Sequence, residues 1–312
     1  MINRRHIRIK VMQSAYAMLL SENDNFNSQD KYLFESINNL HVLYVLQFKL
    51  LLALRHKAES YFKLAQKRYV PEHSVWENSD NIAKNHILLK IQQSVSLKDY
   101  TFKQGVTQWD AHNEVIAMLW DSMQKQDFVE EYMAIDAPTF QEDKAFVIEL
   151  YKKIIAPNDM LYDFYESEVI SWVDDIPFVN TWMLNHLQRT KKNDPFILEP
   201  LYKDEEDKQF AKELLHKTML NFSKYEQEII SITPNWESDR ITRVDKLLMV
   251  MAIAEFFNFP SIPTKVTINE YIEISKDYAT DKSSYFINGV LDKLVVKFSE
   301  ADRIKKSGRG LL

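Results

Sequence analysis

Residues 30–69 read DKYLFESINNLHVLYVLQFKLLLALRHKAESYFKLAQKRY, and this stretch decides the class of the fold. It contains neither glycine nor proline and is rich in leucine and lysine, which are good helix formers. The stretch therefore predicts one long helix or two abutting helices, ended by Pro71.

The composition of the whole chain agrees with this local signal. Its 312 residues include only 4 glycines and 9 prolines. Sandwiches, barrels and doubly wound sheets need many tight turns, which depend on glycine and proline. Hydrophobic residues make up 46% of the chain and charged residues 27%, which argues against global disorder. The sequence therefore predicts an all-α protein.

Several classes of protein are excluded or disfavoured by what the sequence lacks. There is no cysteine, which excludes a disulfide scaffold, a thiol nucleophile and thiolate metal sites. The most apolar run, residues 40–54, is interrupted by polar residues and is shorter than the ~20 residues of a membrane span. No signal peptide is evident, so we expect a cytoplasmic protein without membrane contact. An organelle-targeting peptide is the competing interpretation of the arginine-rich residues 1–21.

Helical patterns continue along the chain. Apolar residues recur at helical spacing in a first helix at residues 3–20. Further helices are predicted at about residues 82–95, 110–132, 142–155, 158–172, 176–190, 204–220, 222–232, 239–257, 264–278 and 283–299.

An internal repeat is also visible. Three patterns each occur twice in the same order: E-D-K-x-F-x-x-E-L-x-x-K at 142–153 and 206–217, Y-E-x-E-x-x-S at 165–171 and 225–231, and W-x-x-D at 172–175 and 236–239. Chance matching between helices of similar composition is one interpretation. Duplication of one helical unit is the other, and the shared order favours it.

Signatures of catalysis are missing. The chain has no G-x-G-x-x-G, no G-x-x-x-x-G-K and no H-E-x-x-H pattern. The pair Glu213 and His216 has the spacing used by helical di-iron proteins, but no second Glu-x-x-His occurs. We therefore predict no enzyme activity, no cofactor and no metal site.

The amino-terminal arm is basic. Residues 1–21 contain no acid and four basic residues: Arg4, Arg5, Arg8 and Lys10. On a helix, Arg5, Arg8 and Tyr16 share one stripe, and Gln13 lies beside Tyr16. Arginine suits phosphates, tyrosine suits base stacking and glutamine suits base edges, so the stripe fits single-stranded RNA. The alternative is a solvated basic helix start, although arginines there oppose the helix dipole and favour an anionic partner.

Two segments of the carboxy-terminal third are distinctive. Residues 262–270 read IPTKVTINE, with Pro263 placed to start a helix. Residues 281–293 read DKSSYFINGVLDK and open the last helix. Phe286 lies off the apolar stripe of that helix, so we expect partial exposure. Gly289 costs about 1 kcal/mol relative to alanine in a helix, which suggests close helix packing or the approach of a ligand.

These segments, together with R-R-x-x-R and Q-x-x-Y at residues 4–16, resemble the transcription antitermination factors of the NusB family, and they occur in the family's order. The resemblance covers residues 1–27 and 204–297. It implies a NusB-like helical bundle with an additional inserted helical region. The internal repeat favours the interpretation that this inserted region is a degenerate duplicate of the family unit.

The resemblance also implies a function. The family binds boxA-like single-stranded RNA of ribosomal RNA transcripts together with a NusE-type small-subunit ribosomal protein, within the RNA polymerase antitermination complex. In this sequence the implied RNA contacts are Arg4, Arg5, Arg8, Gln13, Tyr16, Lys282, Ser283, Phe286 and Asn288. Asn288 and Phe286 also have structural interpretations, as a helix-packing hydrogen bond and a core residue.

The expected domain organisation follows from the same comparison. It comprises a basic arm and first helix at 1–27, a helical extension at 28–109, a possible repeat at 110–203, a NusB-like bundle at 204–300 and a flexible tail at 301–312. The acidic stretch 121–150 either extends a protein-binding surface or folds over the basic arm. Two rival functions stay open: a helical protein-interaction scaffold without RNA binding, and a helical-bundle enzyme or metalloprotein.

Overall fold

The computed structural model describes residues 1–21, 25–67, 75–233 and 241–311. The described parts are helical and contain no strand, which confirms the all-α fold class. The helices are α1 Arg4–Ser21, α2 Phe26–Ala65, α3 Val75–Asn78, α4 Asn81–Lys84, α5 His86–Gln93, α6 Val95–Gln104, α7 Gln108–Ala111, α8 Asn113–Met123, α9 Asp127–Met133, α10 Phe140–Leu150, α11 Asp159–Glu168, α12 Trp172–Arg189, α13 Glu205–Leu220, α14 Phe222–Ile232, α15 Arg243–Asn258, α16 Thr264–Tyr278 and α17 Ser283–Glu300.

The sequence predicts either one long helix or two abutting helices in this stretch, and α2 is one continuous helix. It runs for 40 residues and ends at Ala65, while Pro71 lies outside the described residues. By length and composition alone α2 could cross a membrane, but 67% of its most apolar window is buried inside the protein. Burial of residues such as Leu43, Leu46 and Phe48 accounts for this apolar character.

The chain divides into two compact units, and the first of them is discontinuous in sequence. Unit 1 comprises residues 1–37 and 201–312, and unit 2 comprises residues 38–200. In unit 1, α15 is the central helix, because it contacts α1, α13, α14, α16 and α17. Accordingly, residues 247–256 of α15 are all buried. The cap at Thr242, whose hydroxyl accepts from the Asp245 amide, fixes where this helix begins.

Unit 2 has an aromatic core. Tyr44 of α2 stacks on Trp182 of α12 with ring centroids 3.9 Å apart, and both are buried. Helix α10 begins with a capping box at Thr139 and Glu142 and passes into a π-helical turn at Tyr151–Ile155. It contacts α5 and α12.

The two units show a similar arrangement of the helices that carry the repeated patterns. In unit 2, α10 and α11 both contact α12; in unit 1, α13 and α14 both contact α15. The first two patterns lie on corresponding helices, whereas the second W-x-x-D, at 236–239, lies outside the described residues. Duplication stays a hypothesis that this arrangement supports.

Two sequence predictions differ from the structure. The single helix predicted at 110–132 is broken into α7, α8 and α9. No glycine or proline marks these breaks; tertiary contacts such as the Trp109 indole donating to the Leu46 carbonyl compete with helix continuity. The tail predicted to be flexible at 301–312 is anchored in its described part, because the Ser307 amide donates to the Pro260 carbonyl at 3.0 Å and Lys306 donates to the Phe259 carbonyl.

Candidate nucleic-acid interface

The basic arm forms the first turn of α1, and its two outer arginines are paired with carboxylates of unit 1. Arg4 donates to Asp207 and Glu206, each at 2.9 Å. Arg5 makes a bidentate pair with Glu270 at 2.9 and 3.0 Å. The pairs neutralise arginines that would otherwise oppose the helix dipole. Hydrogen bonding to Glu270 raises the pKa of Arg5 above its ordinary value.

Arg8 does not lie on the surface. Its side chain is buried at 2% exposure and donates to both oxygens of the fully buried Glu255, at 2.8 and 2.6 Å. The sequence assigns Arg8 to the RNA-contacting stripe, whereas the structure places it in the core of unit 1. The stripe was misleading because α1 is buried on most of its circumference, so helical spacing alone does not identify the exposed face.

Glu255 is the centre of a satisfied polar network. Besides Arg8, it accepts from the Thr267 hydroxyl at 2.7 Å and from the Tyr271 hydroxyl at 3.3 Å. Burial alone would lower the pKa of Arg8, but the negative charge and hydrogen bonds of Glu255 have the larger effect, so the pKa of Arg8 is raised. Burial and the same carboxylate raise the pKa of Tyr271. The network therefore holds α1, α15 and α16 together as a charged but fully paired core.

A groove lies beside the arm, which we call the arm groove. It is lined by Asn3, Arg4, Arg5, Arg8, Pro263 and Glu270, among others. Gln13 and Tyr16 are half-buried on α1 and do not line it. The structure thus brings the three arginines together but does not join them to Gln13 and Tyr16.

The start of α17 holds the second group of predicted residues. Lys282 and Asn288 are exposed and Phe286 is half-buried. Ser283 is buried, and its hydroxyl accepts from the Thr280 amide at 3.1 Å, so it stabilises the turn before the helix. Ser283 is therefore committed to a structural contact.

A second groove, the α17 groove, has a volume of about 650 Å³. Its lining includes Lys282, Ser283, Tyr285, Phe286, Gly289 and Lys293, but not Asn288. Sequence reasoning missed Tyr285, which is 84% exposed, and Lys293. Lys282, Tyr285, Gly289 and Lys293 recur at i, i+3, i+7 and i+11, which is the signal that could have found them.

Gly289 has no packing role among the described residues. A Cβ added there would meet no described atom within 4 Å, and the position is exposed. The close helix packing offered by the sequence as one reason for this glycine is therefore not found in the described part of the chain. Its absent side chain leaves the middle of the α17 groove open between an aromatic ring and two lysines.

The residues suggested for a metal site have other partners. His216 Nε2 lies 2.7 Å from Asp30 Oδ1, and Glu213 Oε1 accepts a hydrogen bond from Gln209 Nε2 at 2.8 Å. Within the described ranges, no group of three or more histidine, aspartate or glutamate side chains is placed to hold a metal ion.

Comparison with known proteins assigns the chain to a class. The family model described as "NusB family" matches residues 178–296. The match covers α13 to α17 and begins within α12, so it includes part of the region that the sequence analysis placed in the insertion, and it does not include the basic arm. No solved structure was found to match the chain.

Three relatives carry the name transcription antitermination protein NusB. The protein of Salinibacter ruber is 36% identical over 113 residues, covering 36% of this chain and 71% of the relative. That of Chloroherpeton thalassium is 40% identical over 116 residues, covering 37% and 55%. That of Natranaerobius thermophilus is 37% identical over 93 residues, covering 30% and 67%. The chain belongs to the NusB family, and an extra helical region precedes the matched residues.

Proposed function

We propose that the protein is a non-enzymatic transcription antitermination factor that binds boxA-like single-stranded RNA of ribosomal RNA transcripts. In this proposal it acts in the cytoplasm with a NusE-type small-subunit ribosomal protein, as part of the RNA polymerase antitermination complex. Family membership supports the antitermination role, and the α17 groove supports the contact with RNA.

The observation that carries the RNA contact is the combination of side chains in the α17 groove. Tyr285 is almost fully exposed, which suits stacking on an unpaired base. Lys282 and Lys293 lie along the same groove, and neither has an ion pair among the described residues. Their ammonium groups are therefore available to phosphates. Gly289 leaves room between them for a nucleotide to approach the helix.

The arm has a different place in this proposal. Arg4 and Arg5 already hold carboxylates, so a phosphate must compete with Glu206, Asp207 and Glu270. Arg5 is the more exposed of the two arginines. We therefore assign Arg4 and Arg5 a secondary contribution, and Arg8 a structural one.

The test is fluorescence anisotropy of a labelled boxA-like RNA, with and without the NusE-type partner. Tyr285→Ala is expected to weaken binding about tenfold, because base stacking contributes roughly 1–3 kcal/mol. Tyr32→Ala is the matched control, since Tyr32 is also an exposed tyrosine of unit 1 but lies on α2.

A salt series tests the lysines. The double variant Lys282→Gln/Lys293→Gln should reduce the slope of the logarithm of the RNA-binding constant against the logarithm of the salt concentration. The expected reduction is about one per lysine, because each lysine is proposed to contact one phosphate. The control Lys208→Gln/Lys276→Gln removes two exposed lysines of unit 1 that do not line the groove, and should leave the salt slope unchanged. An equal reduction of the slope in both double variants would contradict the proposed contact. Absence of binding under every condition, partner included, would favour a scaffold that binds only protein.

A further inference from the structure

Unit 2 contains an apolar groove outside the residues matched by the family model. It lies between α2, α5 and α6 and has a volume of about 430 Å³. The residues that matter are Lys49 and Leu52 of α2, Ile91 of α5, and Leu97, Lys98 and Phe102 of α6. We call this surface the α6 groove.

Helix α6 presents apolar side chains on two sides. Leu97 is buried, as expected for a core residue, but Phe102 is 89% exposed and Val95 is 70% exposed. Val95 and Phe102 are seven residues apart and therefore lie on nearly the same face of the helix. A single exposed apolar residue needs no explanation, but an exposed phenylalanine at the edge of an apolar groove indicates a binding surface.

Both charged residues that line the α6 groove are lysines, whereas the exposed Asp99 of α6 lines a different groove. Lys49 and Lys98 line it, no acidic side chain does, and Lys103 lies on the same helix next to Phe102. The Lys49 ammonium donates to the Val106 carbonyl, which leaves its charge uncompensated. No acidic partner for Lys98 or Lys103 is found among the described residues. The groove therefore combines an apolar floor with a cationic rim.

The rest of unit 2 has the opposite charge. Residues 38–200 contain 17 lysines and arginines and 23 aspartates and glutamates. A long polyanion such as RNA meets this excess of negative charge over its whole length. A short segment with a few acids meets mainly the lysines, because charges beyond about 8 Å are screened at physiological salt.

We propose that the α6 groove binds an acidic amphipathic helix of a partner protein. Apolar side chains on one face of that helix contact Phe102 and the groove floor, and its carboxylates face Lys98 and Lys103. A second copy of this chain fits less well. Its acidic stretch, residues 121–150, exposes no large apolar side chain that could serve as the anchor.

The experiment is a selection of short random peptides displayed on phage against the full chain, followed by anisotropy with labelled synthetic copies of the recovered peptides. We expect peptides with net negative charge and apolar residues at helical spacing. Phe102→Ser should weaken the binding of these peptides about thirtyfold or more, which is the loss typical of a truncated aromatic hot spot. The double variant Lys98→Glu/Lys103→Glu should weaken peptide binding at least as much.

Lys191→Glu/Lys192→Glu is the matched control. It makes the same charge change at exposed positions of unit 2 that do not line the groove, and should leave binding unchanged. Circular dichroism of each variant checks that it is folded.

The proposal is overturned if the selection yields no binder, if the recovered peptides are basic or neutral, or if Phe102→Ser binds them as well as the parent does. Competition of the peptides by single-stranded RNA would assign the groove to RNA instead. A dimer that becomes monomeric in Phe102→Ser would assign it to a second copy of the chain.

Discussion

The buried pair of Arg8 and Glu255 allows a sharp test of what the basic arm does. Replacing Arg8 by methionine keeps much of the side-chain volume but leaves a fully buried carboxylate without its cation. The neutral donors Thr267 and Tyr271 stay but cannot balance the charge. Breaking one side of such a pair costs about 3–5 kcal/mol, a large share of the ~5–15 kcal/mol that stabilises a typical domain.

Arg5→Met is the matched control for this prediction. Its partner Glu270 is partly exposed, so loss of the pair should cost only about 0–1 kcal/mol. Urea unfolding followed by circular dichroism measures both losses, and hydrogen exchange of α15 peptides shows whether the Arg8 effect is located in unit 1. The double variant Arg8→Met/Glu255→Met should recover most of the loss, because it removes both charges.

Equal, small losses in Arg8→Met and Arg5→Met would refute the buried network. If the network is correct, Arg8→Glu places two buried carboxylates together and unfolds unit 1. Loss of RNA binding in that variant would then report misfolding rather than a lost phosphate contact. Arg4→Gln/Arg5→Gln is therefore the informative variant of the arm.

Three further predictions follow from single positions. Gly289→Ala should raise the free energy of unfolding by roughly 0.5–1 kcal/mol in urea melts, since the new methyl group meets no described atom. The same variant should bind RNA more weakly in anisotropy measurements, and unchanged binding would argue against RNA in the α17 groove. Gly105→Ala should lower stability by roughly 1 kcal/mol, because Gly105 ends α6 at a φ of 63°, and an unchanged melting temperature would contradict this. Burial lowers the pKa of His41 to about 4, so the unfolded state binds more protons between pH ~6.5 and ~4. Stability should therefore fall as the pH drops through that window, and His41→Gln should flatten the fall in urea melts taken across it; an identical slope would show that His41 does not contribute.

Local sequence signals were sufficient for most of the helices. The predicted helix at 264–278 is α16, and Pro263 directly precedes it at the N-cap position, with an extended ψ of 143°. Helices α14 and α17 agree with prediction to within one residue. These segments have apolar residues at helical spacing and clear breaks on either side, so local and tertiary preferences coincide.

The candidate site was only partly predictable. Lys282 and Phe286, for which the resemblance implies RNA contacts, both line the α17 groove, and those contacts stay a prediction. Tyr285 lies outside the residues for which the resemblance implies a contact, although it shares a helical stripe with Lys282. Arg8 was misplaced because its partner, Glu255, lies 247 residues away in the sequence. No local pattern reveals which distant carboxylate a given arginine meets.

The exposure of Phe102 could not be predicted for a similar reason. In the sequence it resembles any core aromatic of an amphipathic helix. Only the tertiary structure leaves Phe102 exposed at the edge of the α6 groove while Leu97 of the same helix is buried. Exposure of an apolar residue is a property of tertiary packing, and helical spacing does not determine it.

The discontinuity of unit 1 has a consequence for how the protein is made. A ribosome adds ~5–20 residues each second, so Arg8 leaves the exit tunnel on the order of tens of seconds before Glu255 does, 247 residues later. During that interval residues 38–200 emerge as one uninterrupted segment and can complete their own core first. The arginines of the first helix therefore stay without their carboxylate partners while unit 2 folds, and unit 1 is completed last.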